Sequence, residues 1–186
     1  MGNTPTLVLV TGPPGTGKST LAEAAAARLQ AAVLSWDWAM AALRPVASVQ
    51  RAIEQLDRAE HRRVGWGILW NLATLQLRQG RGVVLDGTAR QGEVDQTRSV
   101  ATAVAARSLV LVTSCGDRTQ HRQRIEDRSR DIPGWYELEW RDVVRFLEAW
   151  ERPTGADLYV DTADPLDACT DRVVRVIDHA VGSRSS

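Results

Sequence analysis

The chain has 186 residues, 44% of them hydrophobic and 25% charged, with Lys+Arg and Asp+Glu equal at 23. That length suits one globular domain with a sizeable core, and the balanced charge argues against a long basic surface for duplex nucleic acid while leaving room for a local basic patch. Cys115 and Cys169 lack CxxC spacing, His61, His121 and His179 are scattered, and neither a basic leader nor a membrane-length apolar run stands out, so the expectation is a cytoplasmic enzyme with reduced core cysteines, no zinc site and no membrane partner.

The first element is a strand, TLVLVT at 6–11, and the alanine-rich STLAEAAAARLQ further on reads as a helix without a breaker. Between them Gly12-Pro13-Pro14-Gly15-Thr16-Gly17-Lys18-Ser19 satisfies GxxxxGK[ST]. A strand before and a helix after are the context in which that pattern holds phosphate. Glycines let backbone N–H groups turn inward, and the positive end of the helix favours negative charge. The nucleotide-binding set is therefore Gly12, Pro13, Pro14, Gly15, Thr16, Gly17, Lys18, Ser19 and Thr20, with Lys18 reaching the β- and γ-phosphates and Ser19 offering its hydroxyl to Mg²⁺. At ordinary residue frequencies the fixed positions coincide by chance in roughly one such chain in a hundred or fewer.

The second strand, AAVLS at 31–35, runs into WDWAM, and the third, GVVLD at 82–86, runs into GTA. Asp37 and Asp86 thus stand at strand ends, where open parallel sheets place ligands. Phosphoryl transfer needs one carboxylate to orient or deprotonate the attacking hydroxyl and another to fix magnesium, usually through water. Asp37 is assigned the first role and Asp86 the second, although which of them is the chief magnesium-associated carboxylate stays open. The local alternatives are a helix N-cap for Asp37 and a strand-end turn with Gly87 for Asp86. The segment from about 37 to 80 exceeds a simple crossover and reads as a helical insertion, with Val49, Ile53 and Leu56 on one face, then Trp66, Leu69, Trp70, Ala73 and Leu77 before Gly80. Trp36, Trp38, Trp66 and Trp70 are expected near the acceptor side as an apolar wall, two of them structural in any case. Asp37, Trp38, Thr88, Trp66 and Trp70 make up the expected acceptor site.

After the fourth strand, SLVLVTS at 108–114, comes CGDRTQHRQRIEDRSRDIPGW, an arginine-rich lid over about 117–135. Arg124 and Arg128 share a helix face and are assigned to the transferring phosphoryl group ahead of Arg122 and Arg130. The competing reading is exposed helical ion pairs, Arg122 with Glu126 and Arg124 with Asp127. The fifth strand is DLYVD at 157–161, and residues 182–186 read as a disordered tail on a single domain of 1–181. Strands alternating with helices predict an α/β fold with a parallel sheet.

The P-loop, Asp37, the VVLDGTA strand end, the CGDRTQHRQRIEDR segment and LYVDTADPLD together resemble the small bacterial P-loop kinases of the AAA_33 type, whose relatives include chloramphenicol phosphotransferase, gluconate kinase, zeta toxins and the polynucleotide kinase domain. The resemblance implies a P-loop NTPase with five parallel strands in the order 2-3-1-4-5, ATP with Mg²⁺ as donor and a hydroxyl as acceptor. It further implies that Asp37 is the base, that Arg124 and Arg128 are the lid arginines, and that Thr162 and Ala163 approach the adenine. Polynucleotide kinases carry an arginine three residues after the base where this chain has Met40, which argues against nucleic acid. The expected activity is phosphorylation of a small-molecule hydroxyl, on a metabolite, a sugar-like compound or an antibiotic. A nucleotide-dependent switch for a protein partner and a polynucleotide 5′-hydroxyl kinase are the alternatives.

Overall fold

The computed structural model describes residues 4–182. Strands β1 (Thr6–Thr11), β2 (Ala32–Ser35), β3 (Val83–Asp86), β4 (Arg107–Ser114) and β5 (Leu158–Asp161) form one sheet in the order β2-β3-β1-β4-β5. Every pairing is parallel, with Leu7 opposite Val83 and Ser108, and Leu111 opposite Leu158. Fold class and strand order are as expected.

The strands read as unbroken apolar runs because both faces of the sheet are covered. Leu7, Leu9, Val83, Leu85, Val110 and Val112 point to one layer, together with helices α4 (Arg58–Arg78) and α5 (Gln91–Ala103). Val8, Val10, Val84, Leu109 and Leu111 alternate to the other, together with α1 (Lys18–Leu29) and α8 (Leu166–Gly182). Trp66, Leu69, Ala73 and Leu77 of α4 are all buried, as their spacing predicts. A fully buried side chain of this kind contributes about 1.5–3 kcal/mol, so this stripe seats α4 as the crossover between β2 and β3.

The rest of the 37–80 segment differs from expectation. It divides into α2 (Trp36–Ala41), α3 (Ala47–Glu54) and α4, because Asp57 starts a new helix by accepting from Glu60 N at 2.8 Å while its own N–H donates to Glu60 Oε2 at 3.1 Å. The face Val49, Ile53, Leu56 is not buried, and Val49 is 37% exposed. Gly80, in the left-handed region at φ 76°, ends α4 as expected. The lid comprises α6 (Arg118–Glu126) and a loop leading to α7 (Trp140–Ala149). Of the expected tail, Gly182 is the last residue of α8, and 183–186 lie outside the described residues. Among the described residues no helix is long and apolar enough to cross a membrane.

Candidate nucleotide and acceptor site

The P-loop leaves β1 and closes on α1 through three glycines with positive φ: Gly12 at 154°, Gly15 at 78° and Gly17 at 73°. A Cβ on Gly12 would sit 2.4 Å from the Thr113 carbonyl and one on Gly15 2.5 Å from Ile125 Cδ1, so neither position accepts a side chain. The loop is pinned from within. The buried Thr16 hydroxyl donates to Pro13 O at 2.7 Å and lies 2.6 Å from Thr113 Oγ1, while His121 Nε2 donates to Pro14 O at 2.7 Å. Thr16 therefore shapes the loop with its side chain, and Pro13 and Pro14, which have no N–H, serve as carbonyl anchors rather than phosphate donors.

Lys18 Nζ donates to Pro13 O at 2.8 Å. Burial pulls its pKa below the usual lysine value, against the fields of Asp86 and Asp37, which raise it. Ser19 Oγ donates to Asp86 Oδ2 at 2.8 Å, joining the two residues assigned to magnesium although they lie 67 positions apart. Burial raises the Asp86 pKa, and Lys18 and the Ser19 hydrogen bond counter it. A hydroxyl and a shielded carboxylate touching beside an ammonium fit a hydrated Mg²⁺ on a β,γ-phosphate, since both oxygens are hard ligands.

A cavity of about 450 Å³ is lined by Gly15, Gly17, Lys18, Ser19, Thr20, Leu21, Arg124, Arg128, Arg130, Thr162, Asp164, Leu166 and Cys169. Arg124 Nη1 donates to Thr162 Oγ1 at 2.9 Å and Nη2 to Thr162 O at 2.7 Å, so the lid helix is tied to the turn after β5. Arg128 has an ion pair with Glu137 at 3.7 Å, yet its buried Nε and Nη2 have no hydrogen-bond partner among the described residues. Burial, with the nearby Arg130 charge, lowers its pKa. The ion-pair alternative holds for Arg122, which meets Glu126 at 2.8 Å, and not for Arg124.

Asp37 lies in the first turn of α2, not at the N-cap, which is Ser35. Its Oδ2 accepts from Arg130 Nη1 at 2.5 Å. The arginine ranked behind Arg124 and Arg128 is thus the one that reaches the expected base.

The acceptor wall needs correction. Trp66 is 1% exposed in the core, and Trp70 stacks on it at 5.8 Å and donates Nε1–H to Thr97 Oγ1 at 3.0 Å, so both are structural. Thr88 Oγ1 donates to Gly12 O at 3.0 Å, which makes it a brace for the P-loop. Trp38 stands 53% exposed. The aromatic groups around Asp37 are the expected Trp36, which meets His61 at 5.3 Å and Trp135 at 6.2 Å, and two that were not expected, Trp135 and the Tyr136 stacked on it. Trp135 and Tyr136 carry no periodic signal because they sit in the lid loop. On the opposite side Ala163 N donates to Asp161 Oδ1 at 2.9 Å and is already engaged. The wall there also includes Asp164, Leu166 and Cys169, which the sequence reading left out. Cys169 is buried as expected, whereas Cys115 is half-buried.

The family model for AAA_33, an AAA domain, matches residues 7–152. In fold the chain is similar to a gluconokinase from Sinorhizobium meliloti 1021, with TM-score 0.68 and 19% identity over 98% of this chain and 97% of that one. It is likewise similar to the Mycobacterium tuberculosis APS kinase CysC in complex with AMPPNP and APS, with TM-score 0.64 and 17% identity over 96% and 99% of the two chains. Kti12 of Chaetomium thermophilum in complex with ADP-AlF3 gives TM-score 0.66 and 21% identity over 95% and 99%. No curated protein matches the chain. With its P-loop, parallel sheet and arginine lid in one arrangement, the chain belongs to the AAA_33 family and has the fold of P-loop NTPases.

Proposed function

We propose that the protein is an ATP-dependent kinase that phosphorylates a hydroxyl of a small molecule. The observation that carries this reading is the placement of Asp37. A carboxylate from a separate strand end is bound to a lid arginine that lines the P-loop cavity, and its field reaches Lys18.

The P-loop N–H groups and Lys18 would hold the β- and γ-phosphates, with Arg124 and Arg128 closing from the lid. Ser19 directly, and Asp86 through water, would hold Mg²⁺, which supplies positive charge to the same phosphate oxygens. Asp37 orients the acceptor hydroxyl and takes its proton as the acceptor oxygen bonds to the γ-phosphorus. The bond from phosphorus to the β,γ-bridging oxygen breaks, and ADP leaves with that electron pair. Arg124, tied to Thr162, brings the adenine-side turn into the same rigid unit. The two named kinases among the similar folds support a phosphotransferase reading.

Asp37→Asn preserves size and removes the base, so acceptor phosphorylation should fall about a hundredfold or more while Mg²⁺·ATP still binds. Calorimetry of ATP binding beside turnover checks both halves. A loss of ATP affinity recovered at high magnesium would move Asp37 to the metal instead.

A second reading, a nucleotide-operated switch for a protein partner, is favoured by the same Asp37–Arg130 pair, because it ties the lid to α2. Kti12, held with ADP-AlF3, shows that the fold is not confined to proteins named as kinases. In a switch, partner affinity changes with nucleotide state and no acceptor stimulates turnover.

A further inference from the structure

Arg130 spends its guanidinium in three directions. Nη1 donates to Asp37 Oδ2 at 2.5 Å, Nε to Glu137 Oε2 at 3.2 Å and Nη2 to the Tyr136 carbonyl at 2.8 Å. Two of the partners belong to the lid loop itself, and the third is the carboxylate 93 positions away on α2. Arg130 also lines the phosphate cavity beside Lys18, Arg124 and Arg128. It therefore stands between two carboxylates already present, Asp37 and Glu137, and a phosphate that the cavity is expected to take.

We propose that Arg130 is a positioning residue that withholds Asp37 until a nucleoside triphosphate fills the cavity, when the γ-phosphate takes the guanidinium and frees the carboxylate for the acceptor hydroxyl. The exchange is physically available. The Arg130 and Asp37 side chains are 17% and 37% exposed, and a partly solvated pair of this kind shifts an equilibrium by about fivefold or less. A triphosphate brings several charged oxygens in a geometry that a planar guanidinium fork can meet with two parallel hydrogen bonds. Glu137 is placed to retain the lid during the exchange, since it also pairs with Arg128 Nε at 3.7 Å. The consequence is an ordered reaction. Nucleotide binds first, and an acceptor that arrives early finds its base already paired.

This inference rests on the kinase reading, yet its test needs no acceptor. Structures of the full chain with AMPPNP·Mg²⁺ and with AMP should differ at one joint: the Arg130–Asp37 contact opens beyond hydrogen-bond range with AMPPNP and persists with AMP, which has no γ-phosphate. A contact intact in both complexes, or broken in both, overturns the latch and leaves the kinase reading standing. Tryptophan emission gives a solution readout, because Trp36 and Trp135 meet at 6.2 Å across this joint. AMPPNP·Mg²⁺ should shift the wild-type spectrum and AMP should not, and nucleotide-free Arg130→Ala should already show the shifted spectrum. A wild-type spectrum in that variant contradicts the proposal. Loss of the kinase reading would show separately, as ATP turnover that no hydroxyl compound raises.

Discussion

Arg128 carries a charge whose buried Nε and Nη2 have no hydrogen-bond partner among the described residues, while Arg124 is doubly bonded to Thr162. A buried donor without a partner costs about 1–3 kcal/mol, so the fold gains little from Arg128 until an anion arrives. Arg128→Ala should lower kcat about ten- to a thousandfold, with a nucleotide-free melting temperature equal to or above wild type. Arg124→Ala should lower both, since it also detaches the lid from the β5 turn. Thermal melts beside steady-state kinetics separate the two. His121 offers a pH test, because burial lowers its pKa from the ordinary 6.5 despite its bond to Pro14. The unfolded chain then takes up this proton before the folded one, so the contribution is complete above 6.5 and is lost on acidification below it. The excess melting temperature of wild type over His121→Gln should therefore shrink between about pH 7.5 and 5.5. A constant difference would show that His121 takes up its proton at the same pH in the folded and unfolded states. Local spacing made the P-loop and the strand-end Asp86 readable in the sequence. The helix face expected for Arg124 and Arg128 is not formed, because α6 ends at Glu126 and Arg128 lies past its C-cap Asp127, although both arginines line the cavity. The Asp37–Arg130 contact was not readable, because its partners lie 93 positions apart and only the tertiary path of the lid loop brings them together.

Helix α4 holds two glycines whose replacement should act in opposite directions. A Cβ on Gly65 would lie 2.2 Å from Trp36 Nε1, whereas Gly67 has nothing within 4 Å. Gly67→Ala should stabilise by about 0.5–1 kcal/mol through helix propensity. Gly65→Ala should destabilise by about 1–3 kcal/mol through overpacking, and it pushes on the residue next to Asp37, so activity should fall further than stability. Denaturant titrations of both variants test this, and equal signs would show that α2 does not rest on Gly65. Strands were legible because apolar runs bounded by turns have few other readings. The division at Asp57 was missed because a run of good helix formers conceals a capping box written in just two residues, Asp57 and Glu60. Helix α7 was overlooked even though Trp140, Val143, Val144 and Leu147 have helical spacing, a signal hidden behind the charged lid. Trp66 and Trp70 were placed at the acceptor by residue type alone, whereas their i,i+4 spacing already assigned them to the stripe that covers the sheet.

At the scale of the whole molecule, the order β2-β3-β1-β4-β5 sets the P-loop strand at the centre, with the Asp86 strand on one side and the lid strand on the other. Lys18 and the three lid arginines line one cavity, and the strand-end carboxylates Asp86 and Asp37 join it through Ser19 and Arg130. Alternation of strand and helix predicts the parallel sheet, but strand order came from the family resemblance, since spacing alone does not specify which strand lies beside which. The acceptor's chemistry was not legible, because the groups around Asp37 come from a lid loop whose path is set by tertiary contacts. The most direct measurement of the central claim follows the γ-phosphoryl group itself. With [γ-³²P]ATP, Mg²⁺ and a library of hydroxylated metabolites, sugars and antibiotics, with polynucleotide controls, the account predicts label on the hydroxyl of one small-molecule class, ADP release raised about tenfold or more by it, and neither in Asp37→Asn. Label recovered only as inorganic phosphate, at one rate with every compound, would contradict it.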